Sequence, residues 1–274
     1  MKELNGSELA SFIKVRQAKQ VRALRQSENI FPKLVIIKTT ADPVIATYVR
    51  MKKRYGEDIL VEVYIIDATD DNLFDTIQQQ NNDPSVHGII IQLPLNNPDQ
   101  TEQAVNLVDV DKDVDGLSKN AQLTPATPMA IDWLLAGYNV ELKDKNIAIV
   151  GQGRLVGAPL AKLWRNAGYK VEVFDEHSTN TFERLPHMDV IVSATGVPGL
   201  IKSEHIKKGA AVVDAATASE DGKIVGDAAE EVRQRDDIVI TPKKGGVGPL
   251  TVCALFDNVI RATRAKVETA KDLA

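Results

Sequence analysis

Asn146-Ile147-Ala148-Ile149-Val150-Gly151-Gln152-Gly153-Arg154-Leu155-Val156-Gly157 is the stretch on which the reading of the fold turns. An apolar, β-branched run leads into a turn of spaced glycines, and Leu160, Leu163, Trp164 and Ala167 follow at helical spacing. Strand, glycine turn and helix in that order open a βαβ unit of Rossmann type. Glycines there let the backbone turn sharply and approach a pyrophosphate, while the free N–H groups of the helix start favour the anion. The last glycine comes one residue later than in the commonest fingerprint, and a tight βα turn with no nucleotide would use glycines too. Asp175 ends the next apolar run, where a carboxylate can accept hydrogen bonds from ribose hydroxyls. The same charge would repel a 2′-phosphate, which favours NAD over NADP unless a cation such as Arg154 offsets it.

Working outward, apolar β-branched runs recur downstream at 171–174, 190–192, 211–213 and 238–240, and upstream at 34–37, 59–63 and 86–93. Segments of helical periodicity, such as 47–54 and 72–80, alternate with the upstream runs. Short continuous apolar runs between helices are what parallel strands buried on both faces look like. The two series predict an α/β protein of two domains. Thr127 and Pro128 can open a helix that ends before Gly137 and links them. The helical tail at 251–274 has apolar positions that need cover, so it is expected to return to the first domain. The predicted organisation is residues 1–118 with 252–274 as one domain, and 119–251 as a second, Rossmann-type dinucleotide-binding domain.

The chain has 274 residues, 43% hydrophobic and 26% charged, which is the composition of a globular protein. Its formal net charge of -5 provides no basic field to collect nucleic acid. Cys253 is the only cysteine, so no intramolecular disulfide or paired-thiol zinc site can form, and it reads as a buried helix residue. The amino-terminal segment alternates charged and apolar residues in a helical rhythm and lacks the apolar core of a signal peptide. No apolar run approaches the roughly 20 residues that span a bilayer. A cytoplasmic protein without membrane attachment is the expectation.

Four segments carry candidate chemistry. Tyr48 and Lys52 stand four apart and share a helix face; a lysine held in a cleft can have its pKa lowered enough to move protons near neutrality. An ordinary amphipathic surface presents the same pair. Gln92 ends a strongly apolar strand before Leu93 and Pro94, where ligands of open α/β sheets bind, although such an amide can also simply cap its own loop. Asp109, Asp111, Asp113, Asp115 and Gly116 imitate a calcium loop, but the position that should hold a bidentate Glu is Gln122, so calcium is rejected and an acidic loop facing a cationic or amine-rich ligand stays open. Gly245, Gly246, Gly248 and Pro249, within 242–251, imply a backbone that something approaches closely, or an elaborate turn.

Taken in order, these segments resemble the methylenetetrahydrofolate dehydrogenase/cyclohydrolase family. The most specific matches are Tyr-Val-x-x-Lys at 48–52, Ile-Gln-Leu-Pro-Leu at 91–95, Lys-Asp-Val-Asp-Gly at 112–116 and Thr-Pro-x-x-Gly-Gly-Val-Gly-Pro-x-Thr at 241–251; shorter echoes lie at Val156-Gly157-x-Pro159, His177-Ser178 and Val225-Gly226-Asp227. The resemblance implies a folate-binding α/β domain, a Rossmann-type domain, a cleft between them and a homodimer, and it makes residues 1–118 with 252–274 the substrate and catalytic domain. It implies Lys52 as the main catalytic residue, assisted by Tyr48, Gln92 and Asp115, with Leu93, Gly246, Gly248 and Pro249 also facing a tetrahydrofolate derivative. For the cofactor it implies Gly151, Gln152, Gly153, Val156, Gly157, Asp175, Ser178, Thr195, Gly196 and Thr217. The implied activity is oxidation of 5,10-methylenetetrahydrofolate, with NADP as the family default, followed by hydrolysis to 10-formyltetrahydrofolate. A monofunctional dehydrogenase and a non-catalytic folate-binding protein are the rival readings. Departures cluster on the cofactor side: Gly151-Gln152-Gly153 stands where relatives have Gly-Arg-Ser, Val197 replaces a lysine, and Ala215-Ala216 replace Val-Gly. Ala126 and Lys244 replace a cysteine and a proline. The loss of the arginine keeps NAD open.

Overall fold

The computed structural model describes residues 2–216, 218–220 and 223–272. The chain forms two compact units, Phe12–Ala126 with Val252–Ala274 (the first unit) and Met1–Ser11 with Thr127–Thr251 (the second unit). Eleven strands are described: β1 (Lys2–Glu3), β2 (Lys33–Lys38), β3 (Glu62–Asp67), β4 (Gly88–Ile91), β5 (Ile147–Val150), β6 (Val171–Phe174), β7 (Val190–Ser193), β8 (Ala211–Asp214), β9 (Ala218–Glu220), β10 (Lys223–Val225) and β11 (Val239–Ile240). The α-helices are α1 (Gly6–Ser27), α2 (Pro43–Asp58), α3 (Leu73–Asn82), α4 (Thr101–Leu107), α5 (Ala126–Gly137), α6 (Gly157–Asn166), α7 (Thr181–Arg184), α8 (Glu230–Arg233) and α9 (Val247–Asp272). No described helix is long and apolar enough to cross a membrane.

In the first unit, β3, β2 and β4 form a parallel sheet in that order. β2 is central, and its four inner residues are all buried, as are all four of β4. Val35, Ile37, Ile89 and Ile91 pack with Leu73 and Ile77 of α3 into one apolar cluster. The apolar run at 59–63 begins three residues before β3 and overlaps only its first two residues. Ile59 and Val61 are buried at the exit of α2, whereas β3 is an edge strand with only partly covered residues, so the strongest hydrophobic signal precedes the strand. α2 is longer than its periodicity suggests because Asp42 caps it, accepting from the N–H groups of Val44 at 2.7 Å and Ile45 at 3.1 Å, with Pro43 in the first turn.

In the second unit, the parallel sheet runs β1-β11-β8-β7-β5-β6, with β9 and β10 as a separate antiparallel pair. Every residue of β5 is buried, and so is every residue of β7. Residues 1–11 group here and not with the first unit, because Lys2 and Glu3 pair with Val239 and Ile240 and the N–H of Leu4 continues the ladder to the Ile240 carbonyl at 3.0 Å. At the glycine turn, Gly151 has φ +99, and a Cβ on it would lie 2.6 Å from the Ala194 carbonyl oxygen. A Cβ on Gly157 would lie 1.8 Å from the Gly151 carbonyl oxygen, so the first helical turn packs on the strand end only because both residues lack side chains.

α9 begins four residues before the expected start of the tail helix, so Gly248 and Pro249 occupy its first turn. Proline is tolerated there because its missing N–H would have had no intrahelical partner.

Candidate active site

Lys52 extends from the third turn of α2, and Gln92 directly follows β4. The helix and the strand end bring them together: Lys52 Nζ donates to Gln92 Oε1 at 2.9 Å, and Gln92 Nε2 donates to the Leu93 carbonyl at 3.0 Å. The Gln92 amide is thereby oriented with its oxygen toward the amine. The Leu93–Pro94 peptide bond is cis, and Leu93 packs partly on the apolar cluster beneath. Burial pushes the Lys52 amine below the usual lysine range, opposed by the Asp115 carboxylate. Burial pushes Asp115 above the usual carboxylate range, opposed by Lys52 and reinforced by Asp113. Desolvation therefore drives both members of the pair toward their neutral forms. Tyr48 lies one helical turn before Lys52 on the same side of α2 and is half-buried.

The acidic loop divides its residues between fold and site. Lys112 is buried, and its Nζ donates to the carbonyls of Gln80 at 2.9 Å, Asn81 at 2.6 Å and Asp83 at 2.8 Å, closing the carboxyl end of α3. Asp113 is buried and accepts from the N–H groups of Gly116 at 2.9 Å, Leu117 at 3.4 Å and Ser118 at 2.9 Å. Val114 is fully buried. Asp115 has no hydrogen-bond partner among the described residues, and with Lys52 and Gln92 it forms a polar group that can hold a heterocycle and move a proton. The described residues contain no group of three or more His, Cys, Asp or Glu side chains able to hold a metal.

In the second unit the glycine turn leads into ten-residue α6, which starts after Val156. A Cβ on Gly153 would meet nothing within 4 Å, so the fold itself does not require glycine there; open space above exposed backbone suits close approach by a phosphate group. Asp175 follows β6, and its Oδ1 accepts from Ser178 Oγ at 2.9 Å and from the His177 N–H at 3.0 Å. These hydrogen bonds, Ser178's first, hold the carboxyl below the usual range. Ser178 thus fixes Asp175, while Asp175 Oδ2 has no described protein partner. These residues fit an adenine dinucleotide. Thr217 lies outside the described residues.

The family model described as "Tetrahydrofolate dehydrogenase/cyclohydrolase, catalytic domain" matches residues 4–115, and that described as "Tetrahydrofolate dehydrogenase/cyclohydrolase, NAD(P)-binding domain" matches residues 125–267. The chain belongs to the tetrahydrofolate dehydrogenase/cyclohydrolase family. It is 35% identical to the bifunctional protein FolD of Hydrogenobaculum sp. (strain Y04AAS1), covering 97% of this chain and 100% of that protein. The crystal structure of bifunctional FolD from Campylobacter jejuni superposes with a TM-score of 0.89 at 32% identity, covering 97% and 99% of the two chains. The Trypanosoma brucei FolD structure, complexed with NADP cofactor and inhibitor, gives a TM-score of 0.90 at 28% identity, covering 96% and 97%. This chain is accordingly a family enzyme of folate one-carbon metabolism with an NAD(P)-binding domain.

One supporting residue of this family member was overlooked in the sequence. Thr195 points its N–H and its hydroxyl at the fully buried Asp227, whose Oδ2 accepts them at 2.7 and 2.8 Å and accepts Ser193 Oγ at 2.6 Å. Thr195 Oγ1 in turn accepts from the Val197 N–H at 3.1 Å, across Gly196 at φ +72. Asp227 thereby shapes the loop after β7. Asp214 binds the segment around it, accepting from the N–H groups of Asp227 and Ala228 at 3.1 and 3.0 Å and from Arg233. The Val-Gly-Asp echo at 225–227 was the available signal, but only tertiary contact reveals its use. Gly246 is buried and Gly248 is exposed; a Cβ on Gly6 would lie 1.9 Å from the Gly246 carbonyl oxygen, so this turn is a packing contact with the amino-terminal segment.

Proposed function

We propose that this enzyme carries both family activities, with Lys52 as the proton-transferring residue. The observation that carries the reading is the Lys52–Gln92 hydrogen bond at 2.9 Å, made by an amine whose proton affinity burial has lowered. A dinucleotide bound at the glycine turn supplies the hydride acceptor for the oxidation of 5,10-methylenetetrahydrofolate. Tyr48 packs against the folate, Leu93, Gly246, Gly248 and Pro249 contribute contacts to it, and Asp115 accepts from the amino edge of the pterin. A neutral Lys52 avoids repelling the methenyl cation left after oxidation. As water adds to that cation, Lys52 accepts one of its protons and delivers it to N5 as the C–N5 bond breaks. The second proton leaves to solvent, and 10-formyltetrahydrofolate results.

The cofactor is held by Gly151, Gln152, Gly153, Val156, Gly157, Thr195, Gly196 and Thr217, with Asp175 on the ribose hydroxyls and Ser178 fixing Asp175. An ionised Asp175 and the absence of an arginine at Gln152 support NAD, against the NADP that is usual in the family. The single cysteine supports a cytoplasmic location, the net charge of -5 argues against nucleic acid as a partner, and the family resemblance supports a homodimer, which light scattering measures. The two activities are tested together by following 5,10-methylenetetrahydrofolate in a coupled assay. Formation and decay of the methenyl intermediate to the formyl product are expected. Accumulation of the methenyl species with no enzyme-dependent decay would establish a monofunctional dehydrogenase instead.

A further inference from the structure

Away from Lys52, three lysines of the first unit converge on three consecutive residues. Lys112 Nζ donates to the Asp83 carbonyl at 2.8 Å, Lys266 Nζ donates to the Pro84 carbonyl, and Lys33 Nζ donates to Ser85 Oγ at 2.7 Å. None of the three ammoniums is paired with a carboxylate among the described residues. Asp83 uses its Oδ1 to accept from the N–H of Ser85 at 2.8 Å and from its hydroxyl at 2.6 Å. Asp83 and Asp109 offset the cluster through charge without pairing with any of the three ammoniums, and an anion would relieve the repulsion that remains among them.

His87 lies beside this cluster and is 9% exposed. Its Nδ1 accepts from the Lys33 N–H at 3.2 Å, so Nε2 carries the ring proton, and Nε2 has no acceptor among the described residues. Burial, then Lys266, Lys112 and Lys33, push His87 down to about 4 against the opposing pull of Asp83. His87, Lys112, Lys266 and Arg261 line a cavity of about 520 Å³, whose apolar wall includes Val110, Leu123, Ala262 and Ala265. Asp109 and Asp111 also border it, both exposed, and Arg261 is paired with Asp257. A cavity of this size suits a small organic molecule. His87 directly precedes β4 and Gln92 directly follows it, so this cavity and the Lys52 cluster occupy opposite ends of the strand.

We propose that this cavity binds a small organic anion whose phosphate or carboxylate oxygens receive the Nε2–H of His87 and the ammonium of Lys266, with an apolar body on Val110, Leu123, Ala262 and Ala265. The site is independent of the folate chemistry. The test is NMR titration of the imidazole resonances of the full-length protein with inorganic phosphate, phenyl phosphate and benzoate, at ionic strength matched by potassium chloride. The exposed His177 serves as the internal control. A saturable response confined to His87 is expected, with its pKa raised by about one unit or more, which is a tenfold preference of the anion for the protonated ring. Phenyl phosphate or benzoate should bind more tightly than inorganic phosphate, and which of the two wins identifies the head group. Lys266 is exposed, so Lys266→Gln leaves the core intact and should weaken binding about tenfold. Identical His87 titration in chloride and in all three anions would overturn the proposal. So would unchanged affinity in Lys266→Gln, or inorganic phosphate binding as tightly as the two aromatic anions.

Discussion

Lys112 and Lys52 are both lysines whose proton affinity burial has lowered, yet the two are held in opposite ways. Lys112 gives all three of its hydrogens to carbonyls at the end of α3, whereas Lys52 gives one to the Gln92 amide. The acids nearby repeat the contrast. Asp113 is filled by three backbone N–H groups, while Asp115, two residues on, has no protein donor among the described residues and faces Lys52 through charge alone. A buried charge with every hydrogen bond made belongs to the fold. One left under-coordinated is available to substrate and carries a stability cost that only function explains.

The sharpest way to break this contrast is to exchange the effects of the two lysines. Lys52→Met should lower methenyl hydrolysis by about 10²–10⁴-fold, the usual contribution of positioned proton transfer, without lowering the thermal midpoint, because an apolar chain replaces an incompletely solvated amine. Lys112→Met should do the reverse. Three carbonyls at the end of α3 lose their donor, costing about 3 kcal/mol in denaturant unfolding, while kcat per folded molecule is retained. A Lys112 variant with full stability and lost turnover would invert the assignment.

His87 sharpens the contrast through acid. Its folded pKa of about 4 lies below the ordinary 6.5, so between those values the unfolded chain binds more protons. Its contribution to stability is complete above pH 6.5 and is lost as pH falls toward 4, to about 3 kcal/mol at most. Chemical denaturation across that window should show His87→Gln losing less stability than the parent protein. A smaller effect is expected from Asp115→Asn. The carboxylate raises the Lys52 pKa, so removing its charge should move the acid limb of the kcat profile for methenyl hydrolysis to lower pH; an unmoved limb would uncouple the two residues. Smallest is Asp175→Ala, which should shift the ratio of kcat/KM for NAD and NADP toward NADP, and an unchanged ratio would remove Asp175 from cofactor choice.

The parts of the molecule legible in the sequence were those set by local pattern. β5 coincides with its apolar run because a buried parallel strand admits little else, and the Gly151–Gly157 pair announces a turn that no side chain could enter. Lys52 and Gln92 were legible as motif residues, but their meeting depends on α2 lying against the end of β4. β1 was not legible, since two residues become a strand only by pairing with β11 more than two hundred positions away. The same holds for Asp227 beneath Thr195 and for Lys112 at the end of α3, whose roles exist only where distant backbone polar groups arrive. In the acidic loop the alternation of Asp residues was visible, while the division of labour between Asp113 and Asp115 required the fold.

Proton transfer by Lys52 requires an amine that gives up its proton more readily than an ordinary lysine. Titration of ε-¹³C-labelled lysines by NMR, with the Lys52 resonance assigned by its disappearance in Lys52→Met, measures this directly. The expected Lys52 midpoint lies below the ordinary value of 10.5 and falls further in Asp115→Asn. A midpoint at or above 10.5 would contradict proton transfer by Lys52.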